Sequence, residues 1–537
     1  MKRPAISHLV PGLVLFAALL PLSFAPCARA TDPGAVRSIA EKLERWDVEG
    51  AWADAQALLL KGPGDADLLE VAANVAFYRG DYGEAVRLAK AAIDAGGKNE
   101  GRRAFVVFAE STYGIIKEYK QYETAHFVIR LDERLDGILI SYLADALQRT
   151  YEVVADQFGF RPTEKVRVEL FPDTRAFYYA STLTAHDIES GAVGLTRFNK
   201  LMFLSPRTLV QGYRWLDTIS HEYMHYMIMK LSANRAPIWF HEGLADHEET
   251  RWRGAKPGLS PAHEALLARA LANGRLISFE RMDPGLVSLP SPEDVQLAYA
   301  EAASAIDFII STHGYAGLLS VMGQMAACGE NGTEKAVKSA LGWTLAEFDE
   351  KWKAYLHSKA LKEEEGEALH QYKLKEGLAD DDRMEMREIK SMVARNRAHI
   401  GDLLEEKGRS QAAVLEYRRA LQDAQDSVPL LNRLSDALIG LGRDAEALDY
   451  LKRANTLDPD HPVTYMLLGE VYLRLKDWRK AEEALQSSIQ TNPFIPEVHR
   501  DLAVLYETQG KKDAAHREKE IFTRLTVSSK DSAKDER

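Results

Sequence analysis

The chain has 537 residues, 46% hydrophobic and 28% charged, with 68 Lys and Arg against 80 Asp and Glu for a net charge of −12. That length suits about three or four domains of roughly 100–200 residues, each able to bury a sizeable core. The composition excludes collagen-like, wholly disordered and disulfide-scaffold proteins. The acidic balance lacks the basic footprint that non-specific nucleic-acid binding requires, so no nucleic-acid partner is expected.

At the N-terminus, Lys2 and Arg3 precede an apolar run from Leu9 to Leu20, followed by Ala28-Arg29-Ala30. This is the pattern of a signal peptide over residues 1–30, cleaved after Ala30. The run is shorter than the roughly 20 residues a membrane span needs, and Pro11 and Pro21 bracket it. Pro26 stands where a lipoprotein motif needs a small residue, which makes Cys27 a poor anchor site. Cleavage removes three positive charges and no acidic ones, taking −12 to −15. It leaves Cys328 as the single cysteine, so no intramolecular disulfide can form. An exported chain, periplasmic or secreted, is expected. No later segment reads as long and apolar enough to span a membrane.

Residues 31–115 read as helical hairpins: a pair over Val36–Leu60, and a second over Asp67–Ala95 with Ala73, Ala76, Ala85, Ala89 and Ala92 at helical spacings. Residues 120–360 differ. Thr124–Arg130 and Lys165–Phe171 alternate as strands. Ile140–Phe158 is a helical run ended by Gly159, and 192–196 with 200–204 reads as a hairpin. The remainder to about residue 362 is helical. Strands and helices followed by helices alone suggest an α+β domain with a helical lobe. Residues 361–388 are a charged linker or exposed helix, with Glu363–Glu365 and Asp380–Asp382.

Residues 389–527 repeat. Gly401, Ser435, Gly469 and Ala503 are 34 apart, as are Ala413, Ala447, Ala481 and Ala515. Tyr417, Leu451, Leu485 and Lys519 follow the same interval, as do Ala420, Ala454, Ser488 and Phe522. Pro459 and Pro493 close two units, since proline ends a helix. A 34-residue period with two amphipathic helices per unit resembles the tetratricopeptide repeat. About four units are expected, the last drifting polar as a capping unit does. Residues 31–115 look tetratricopeptide-like as well. Residues 528–537 read as a disordered tail.

His221-Glu222-Tyr223-Met224-His225 is an H-E-x-x-H pentad within the largely apolar run Trp215–Leu231. On a helix, the i, i+4 spacing puts both imidazoles on one face, one turn apart. Two nitrogens so placed suit a tetrahedral Zn²⁺. Glu222 stands near the same face, within reach of a metal-bound water. The pentad alone is a common pattern, and context decides. Sixteen residues separate His225 from Glu242, and they hold a break, Ser232–Pro237, before Trp239-Phe240-His241-Glu242-Gly243-Leu244-Ala245-Asp246. A second helix can therefore run back beside the first and bring Glu242 to the metal. Two His and one Glu leave a fourth position for water. Asp246, four residues on, can accept the second ring N–H of His221 and set its tautomer. His241 and His247 read as neighbours of the site or surface residues, because Glu242 completes the ligand set. Cys328, among small apolar residues, reads as a core thiol.

The pentad followed by Trp-x-x-Glu-Gly-x-Ala resembles the gluzincin metallopeptidases, specifically the peptidase MA-like domain, over roughly residues 122–360. The hairpin Gly194–Pro206 resembles that family's edge strand, and Ala298–Glu301 to Gly314 with Leu341–Tyr355 resembles its helical lobe. The resemblance implies one Zn²⁺ held by His221, His225 and Glu242, with Glu222 as general base and Asp246 as the acid behind the ligands. The fold it implies is an α+β metallopeptidase domain, a small mixed sheet plus a helical lobe, with all-α tetratricopeptide-type repeats on both sides. Gluzincins often place a Tyr or His from the helical lobe on the oxyanion, which makes Tyr299 a candidate donor. Packing in the core beside Ala302, Ala303 and Ile306 is its alternative. Extended peptides commonly add to a sheet edge, so 192–196 or 200–203 is expected to hold the substrate backbone.

The leading expectation is an exported zinc peptidase whose repeat groove recruits a protein partner or substrate. One alternative is a repeat scaffold with a vestigial or regulatory metallopeptidase domain, which has no chemical reason to keep Glu222. Another is an aminopeptidase, which needs an acidic pocket for a free amine.

Overall fold

The structure, a computed structural model, describes residues 32–535 except 97–98, 190, 283–284, 287–288, 329–331, 362–373 and 375–380. The signal-peptide expectation, Cys27 and most of the charged linker lie outside the described residues.

Five helices open the chain: α1 (Pro33–Glu44), α2 (Val48–Leu59), α3 (Ala66–Tyr78), α4 (Tyr82–Gly96) and α5 (Glu100–Ile116). The expected hairpins are α1–α2 and α3–α4. Asp32, Asp47, Asp65 and Asn99 cap α1, α2, α3 and α5 by accepting backbone N–H groups, as short polar side chains do at helix starts. The mixed region follows with β1 (Lys120–Glu123), β2 (Phe127–Leu131), α6 (Glu133–Asp136), α7 (Ile140–Phe158), β3 (Val166–Phe171), α8 (Thr174–Ala180), α9 (Ala185–Glu189), β4 (Gly194–Arg197) and β5 (Lys200–Leu204). Gly159 caps α7 at φ 66, the left-handed position that favours glycine.

The five strands are ordered β1-β2-β3-β5-β4. The central pairs β2/β3 and β3/β5 are parallel, and the outer pairs are antiparallel. The short polar strand β1, mostly exposed, has no apolar alternation and escaped the sequence reading. The topology also corrects one expectation. Residues 200–203 lie in β5, which is paired on both sides, so they have no edge to offer a peptide. Of these two strands β4 is the edge, as β1 is on the opposite side of the sheet.

The β4–β5 turn is held from the N-terminal helices. Phe198 and Asn199 sit at φ 54 and 57, the left-handed pair a two-residue hairpin turn requires. The Phe198 ring packs edge-on to Phe77 and Tyr78, with centroids 5.0 and 5.2 Å away. Beside it Lys200, fully buried, donates to Glu169 Oε2 at 2.8 Å and to the Tyr82 hydroxyl. Tyr82 in turn donates to Glu169 Oε1 at 2.5 Å. This buried cluster joins α4, β3 and β5, so residues 31–115 do not form a separate domain. Helices α1–α5 belong to the same compact unit as the sheet, which comprises residues 1–205 and 216–364.

The helical lobe contains α10 (Trp215–Leu231), α11 (Ile238–Glu248), α12 (Pro261–Asn273), α13 (Pro292–Cys328), α14 (Thr333–Leu341) and α15 (Leu345–Ser358). Gly314, at φ 64 and ψ −177, interrupts α13. By length and composition α13 is apolar enough to cross a membrane, which corrects the expectation that no segment after the N-terminal run is; its stretch 295–306 is buried in the lobe. Trp239, Phe279, Phe348 and Trp352 form an aromatic core, with centroids 4.8–6.2 Å apart in the contacting pairs. Cys328 is half-buried at the end of α13 rather than in the core, because the helix terminus there leaves the packed face.

The second unit comprises residues 206–215 and 365–537. Its helices are α16 (Asp381–Glu388), α17 (Met392–Glu406), α18 (Ser410–Asp423), α19 (Val428–Gly440), α20 (Asp444–Leu457), α21 (Pro462–Arg474), α22 (Trp478–Thr491), α23 (Pro496–Thr508) and α24 (Lys512–Asp535). Four helix pairs, α17–α18 to α23–α24, stand in the expected register. Segment 206–215 belongs with them: Tyr213 N–H donates to Thr491 O at 3.0 Å, and the Trp215 indole to Ile489 O at 2.9 Å. Helix α24 continues to Asp535, where a disordered tail from 528 was expected; no glycine or proline after Gly510 stops it.

The repeat spacing has a direct packing cause. A Cβ on Gly401 would lie 2.3 Å from the Tyr417 ring, and one on Gly469 would lie 2.5 Å from Leu485 Cγ. The small residue of each first helix thus receives the large residue 16 positions later on the second. Gly469→Val is expected to destabilise the repeat unit by about 1–3 kcal/mol through overpacking. Gly440→Ala, with nothing within 4 Å of the new Cβ, should leave stability unchanged or raise it by up to about 1 kcal/mol. Urea unfolding followed by circular dichroism checks this; coincident midpoints for the two variants contradict it.

Candidate active site

Helix α10 carries the pentad and α11 carries Glu242. The reversal between them comes from Ala233 and Asn234, both left-handed at φ 50 and 57, and from Pro237, which starts α11. Ser232 Oγ accepts the Arg235 N–H within this turn.

The reversal brings three side chains to one point. The ligand atoms of His221, His225 and Glu242 all lie within 4.8 Å of one another, and all three residues are buried. His221 Nε2 is 3.5 Å from Glu242 Oε2, and His225 Nε2 is 3.8 Å from it. None of these three atoms has a hydrogen-bond partner. A buried polar atom left unpaired costs roughly 1–3 kcal/mol, so three at one point form a set that lacks its shared partner. Two imidazole nitrogens and a carboxylate oxygen are the donor chemistry of a zinc site, and the residues fit that ion.

The opposite edges of the imidazoles are occupied. His221 Nδ1 lies 3.2 Å from Glu249 Oε2 and 3.4 Å from Asp246 Oδ1. Asp246 therefore stands behind His221 as expected, and Glu249, one residue past α11, shares the role. Glu249 was not singled out in the sequence, though its spacing of seven from Glu242 keeps it on the same helical face. His225 Nδ1 shares a proton with His241 Nδ1 at 3.3 Å. His241 is completely buried, and burial pulls its pKa down to about 3, so it stands neutral beside His225. Burial also lowers the pKa of His225, with further repulsion from His221 and His241. For His221 burial works in the same direction, but the neighbouring carboxylates of Glu242, Glu249 and Asp246 outweigh it and raise its pKa. His247 lies apart from this set, with Nδ1 2.8 Å from Glu248 Oε1 and Nε2 3.5 Å from Asp307.

Glu222 is completely buried beside β4. The Thr196 hydroxyl lies 2.6 Å from its Oε2 and 2.7 Å from its backbone carbonyl, and donates its single proton to one of them. Oε1 has no partner. A Cβ on Gly194 would stand 2.7 Å from that oxygen, so the glycine makes room for the carboxylate. Desolvation pushes the Glu222 pKa up to about 7.

Tyr299 on α13 is buried. Burial, then the charges of Glu242, Asp246 and Glu222, hold its pKa well above the usual phenol range. Ala302, Ala303 and Ile306 are buried with it. Gly243 explains how α13 comes so near, since a Cβ there would meet Ala302 O at 2.3 Å.

Residues 146–358 match a family profile described as Peptidase MA superfamily. Residues 400–462 and 442–505 match profiles described as Tetratricopeptide repeat. The general transcriptional corepressor trfA of Dictyostelium discoideum is 27% identical over 127 residues, 23% of this chain. The match spans only 9% of that curated relative's length. Among solved structures, a thermophilic TPR protein of Thermus thermophilus is 24% identical with a TM-score of 0.24, covering 25% of this chain and 74% of that one. MamA protein is likewise 24% identical with a TM-score of 0.23, covering 25% and 74%. The chain thus carries a Peptidase MA superfamily domain together with tetratricopeptide repeats.

Proposed function

We propose that the protein is an exported zinc-dependent peptidase of gluzincin type, with repeats that recruit a protein partner or substrate. The observation that carries this reading is the convergence of His221 Nε2, His225 Nε2 and Glu242 Oε2, buried and unpartnered, next to the free Oε1 of a buried Glu222. Export rests on Lys2, Arg3, the apolar run and Ala28-Arg29-Ala30.

His221, His225 and Glu242 hold the ion. When bound, Zn²⁺ supplies Lewis-acid activation of a water and of the scissile carbonyl. Asp246 and Glu249 keep the proton of His221 on Nδ1, so Nε2 presents its lone pair. His241 does the corresponding work for His225. Thr196 holds Glu222 through Oε2 and leaves Oε1 to take the proton of the attacking water and pass it to the leaving amine. A carboxyl with a pKa near neutrality is matched to that exchange. The Tyr299 hydroxyl, kept protonated by its surroundings, is the candidate donor to the developing oxyanion. Edge strand β4, beside Glu222, is the segment of the sheet available to the substrate backbone.

Glu222→Gln should keep zinc at one equivalent per chain and abolish hydrolysis of an unfolded protein substrate; metal analysis with a fluorogenic protein digest reads both. Wild-type protein inactive on a broad peptide library with zinc bound would favour the scaffold reading. Gly194→Ala should displace Glu222, keep zinc, and lower kcat by about 10²–10⁴-fold, the usual worth of a positioned base; an unchanged kcat removes the positioning argument. Tyr299→Phe should lower kcat about 10²–10³-fold with little change in KM, whereas unchanged kinetics assign the hydroxyl to the core alone.

A further inference from the structure

We propose that Asp217 is a positioning residue for the metal centre: it holds the turn after α11 against α10 and so keeps Glu249 on the outer nitrogen of His221. The inference rests on the zinc reading of the site and goes beyond it, since Asp217 touches neither the ion nor the ligand atoms.

Helices α10 and α11 meet in a series of rungs that runs in opposite directions along the two. His225 and His221 turn their Nε2 atoms to Glu242, at 3.8 and 3.5 Å. His221 Nδ1 faces Asp246 at 3.4 Å and Glu249 at 3.2 Å. Asp217 stands four residues before His221, one turn back on the same face of α10. Its Oδ1 accepts from the Trp252 indole at 2.9 Å and from Arg253 Nε at 3.0 Å. Residues 217, 221 and 225 thus meet 252–253, 246–249 and 242 in order, and Asp217 makes the outermost rung.

That rung lies where the helix no longer guides the chain. Helix α11 ends at Glu248, and Glu249 is its C-terminal cap. A single tight turn, Arg251–Arg253, follows and is closed by Gly254 in the left-handed region at φ 81. The Glu249 side chain is 33% exposed, against 16% for Asp246. A long, half-open carboxylate at a helix end loses rotamer freedom when it is held on one partner, so its backbone must be fixed for the contact to persist. Arg251 ties the turn to Glu248 and to the Tyr315 hydroxyl on α13. Trp252 and Arg253 tie it to α10 through Asp217. Asp217 is 2% exposed and Trp252 7%, so this tie is shielded from water, where a charge-assisted hydrogen bond is strongest.

The consequence reaches the ion through the imidazole. A carboxylate on the outer N–H of a ligating histidine fixes its tautomer and raises its basicity, and loss of such a partner costs about 10–100-fold in metal affinity. Release of the turn withdraws Glu249 and leaves His221 to Asp246 alone.

The test is zinc affinity of the full chain, measured by competition with a chelating dye at neutral pH, in a double-mutant cycle. Asp217→Ala and Glu249→Ala should each weaken zinc binding about tenfold. The double variant should lose about as much as either single one, not the roughly hundredfold of two independent effects. Asp217→Asn keeps the acceptor oxygen and removes the charge, and should stay within about twofold of wild type. Circular dichroism checks that each variant is folded. Where Asp217→Ala does not fold, Trp252→Phe, which withdraws one donor and keeps a ring in place, enters the same cycle, and its loss should vanish in the Glu249→Ala background. Additive losses overturn the proposal, as does an Asp217→Asn variant as weak as Asp217→Ala, which assigns the effect to charge rather than position. Both of these outcomes leave the zinc reading intact. A wild-type chain that takes up no zinc overturns that reading and this inference with it.

Discussion

The Peptidase MA superfamily domain depends on bringing four polar side chains together in its interior. His221, Glu222, His225 and Glu242 are all buried, and each points an unpartnered atom inward. Left to itself such an arrangement collapses into internal hydrogen bonds or fills with water. It persists here because the other side-chain polar atoms of His221, Glu222 and His225 are engaged. Glu249 and Asp246 stand behind His221, His241 behind His225, and Thr196 behind Glu222. Helices α10 and α11 then keep His221 Nε2 and His225 Nε2 at 3.5 and 3.8 Å from Glu242 Oε2.

The supports reach outward through the same unit. Gly243 lets α13 approach α11, which brings Tyr299 into the field of Glu242. Gly194 and Thr196 on β4 shape and orient Glu222. Strand β4 is in turn placed by its hairpin, whose turn residue Phe198 is seated among Phe77 and Tyr78. The buried Lys200–Glu169 pair, with Tyr82 bridging it, anchors the next strand. Breaking one partner of such a pair costs roughly 3–5 kcal/mol. The N-terminal helices are therefore part of the packing that places β4 beside Glu222.

The repeat unit follows a different logic. Its stability is repetitive and local, carried by a small residue on one helix meeting a large one on the next.

Much was legible in the linear pattern because it depends on local spacing. The i, i+4 histidines share a helix face by geometry alone, the 34-residue register needs only helix pairs of constant length, and Gly159 marks the end of α7 by its left-handed conformation. Glu242 was legible because one break between two helices leaves few ways to return. Other features needed the third dimension. Strand β1 is polar on both faces and gains its identity only by pairing with β2. The edge could not be told from the interior strand, because β4 and β5 are both apolar and only the parallel pairing of β3 with β5 decides it. Glu249, His241 and Thr196 act through contacts that no motif spacing encodes, and segment 206–215 joins the repeat unit through hydrogen bonds to residues nearly 280 positions away. Local periodicity determined the elements and the donor set; long-range packing decided which atoms stay unpartnered, since that depends on what every neighbouring element brings to the same buried point.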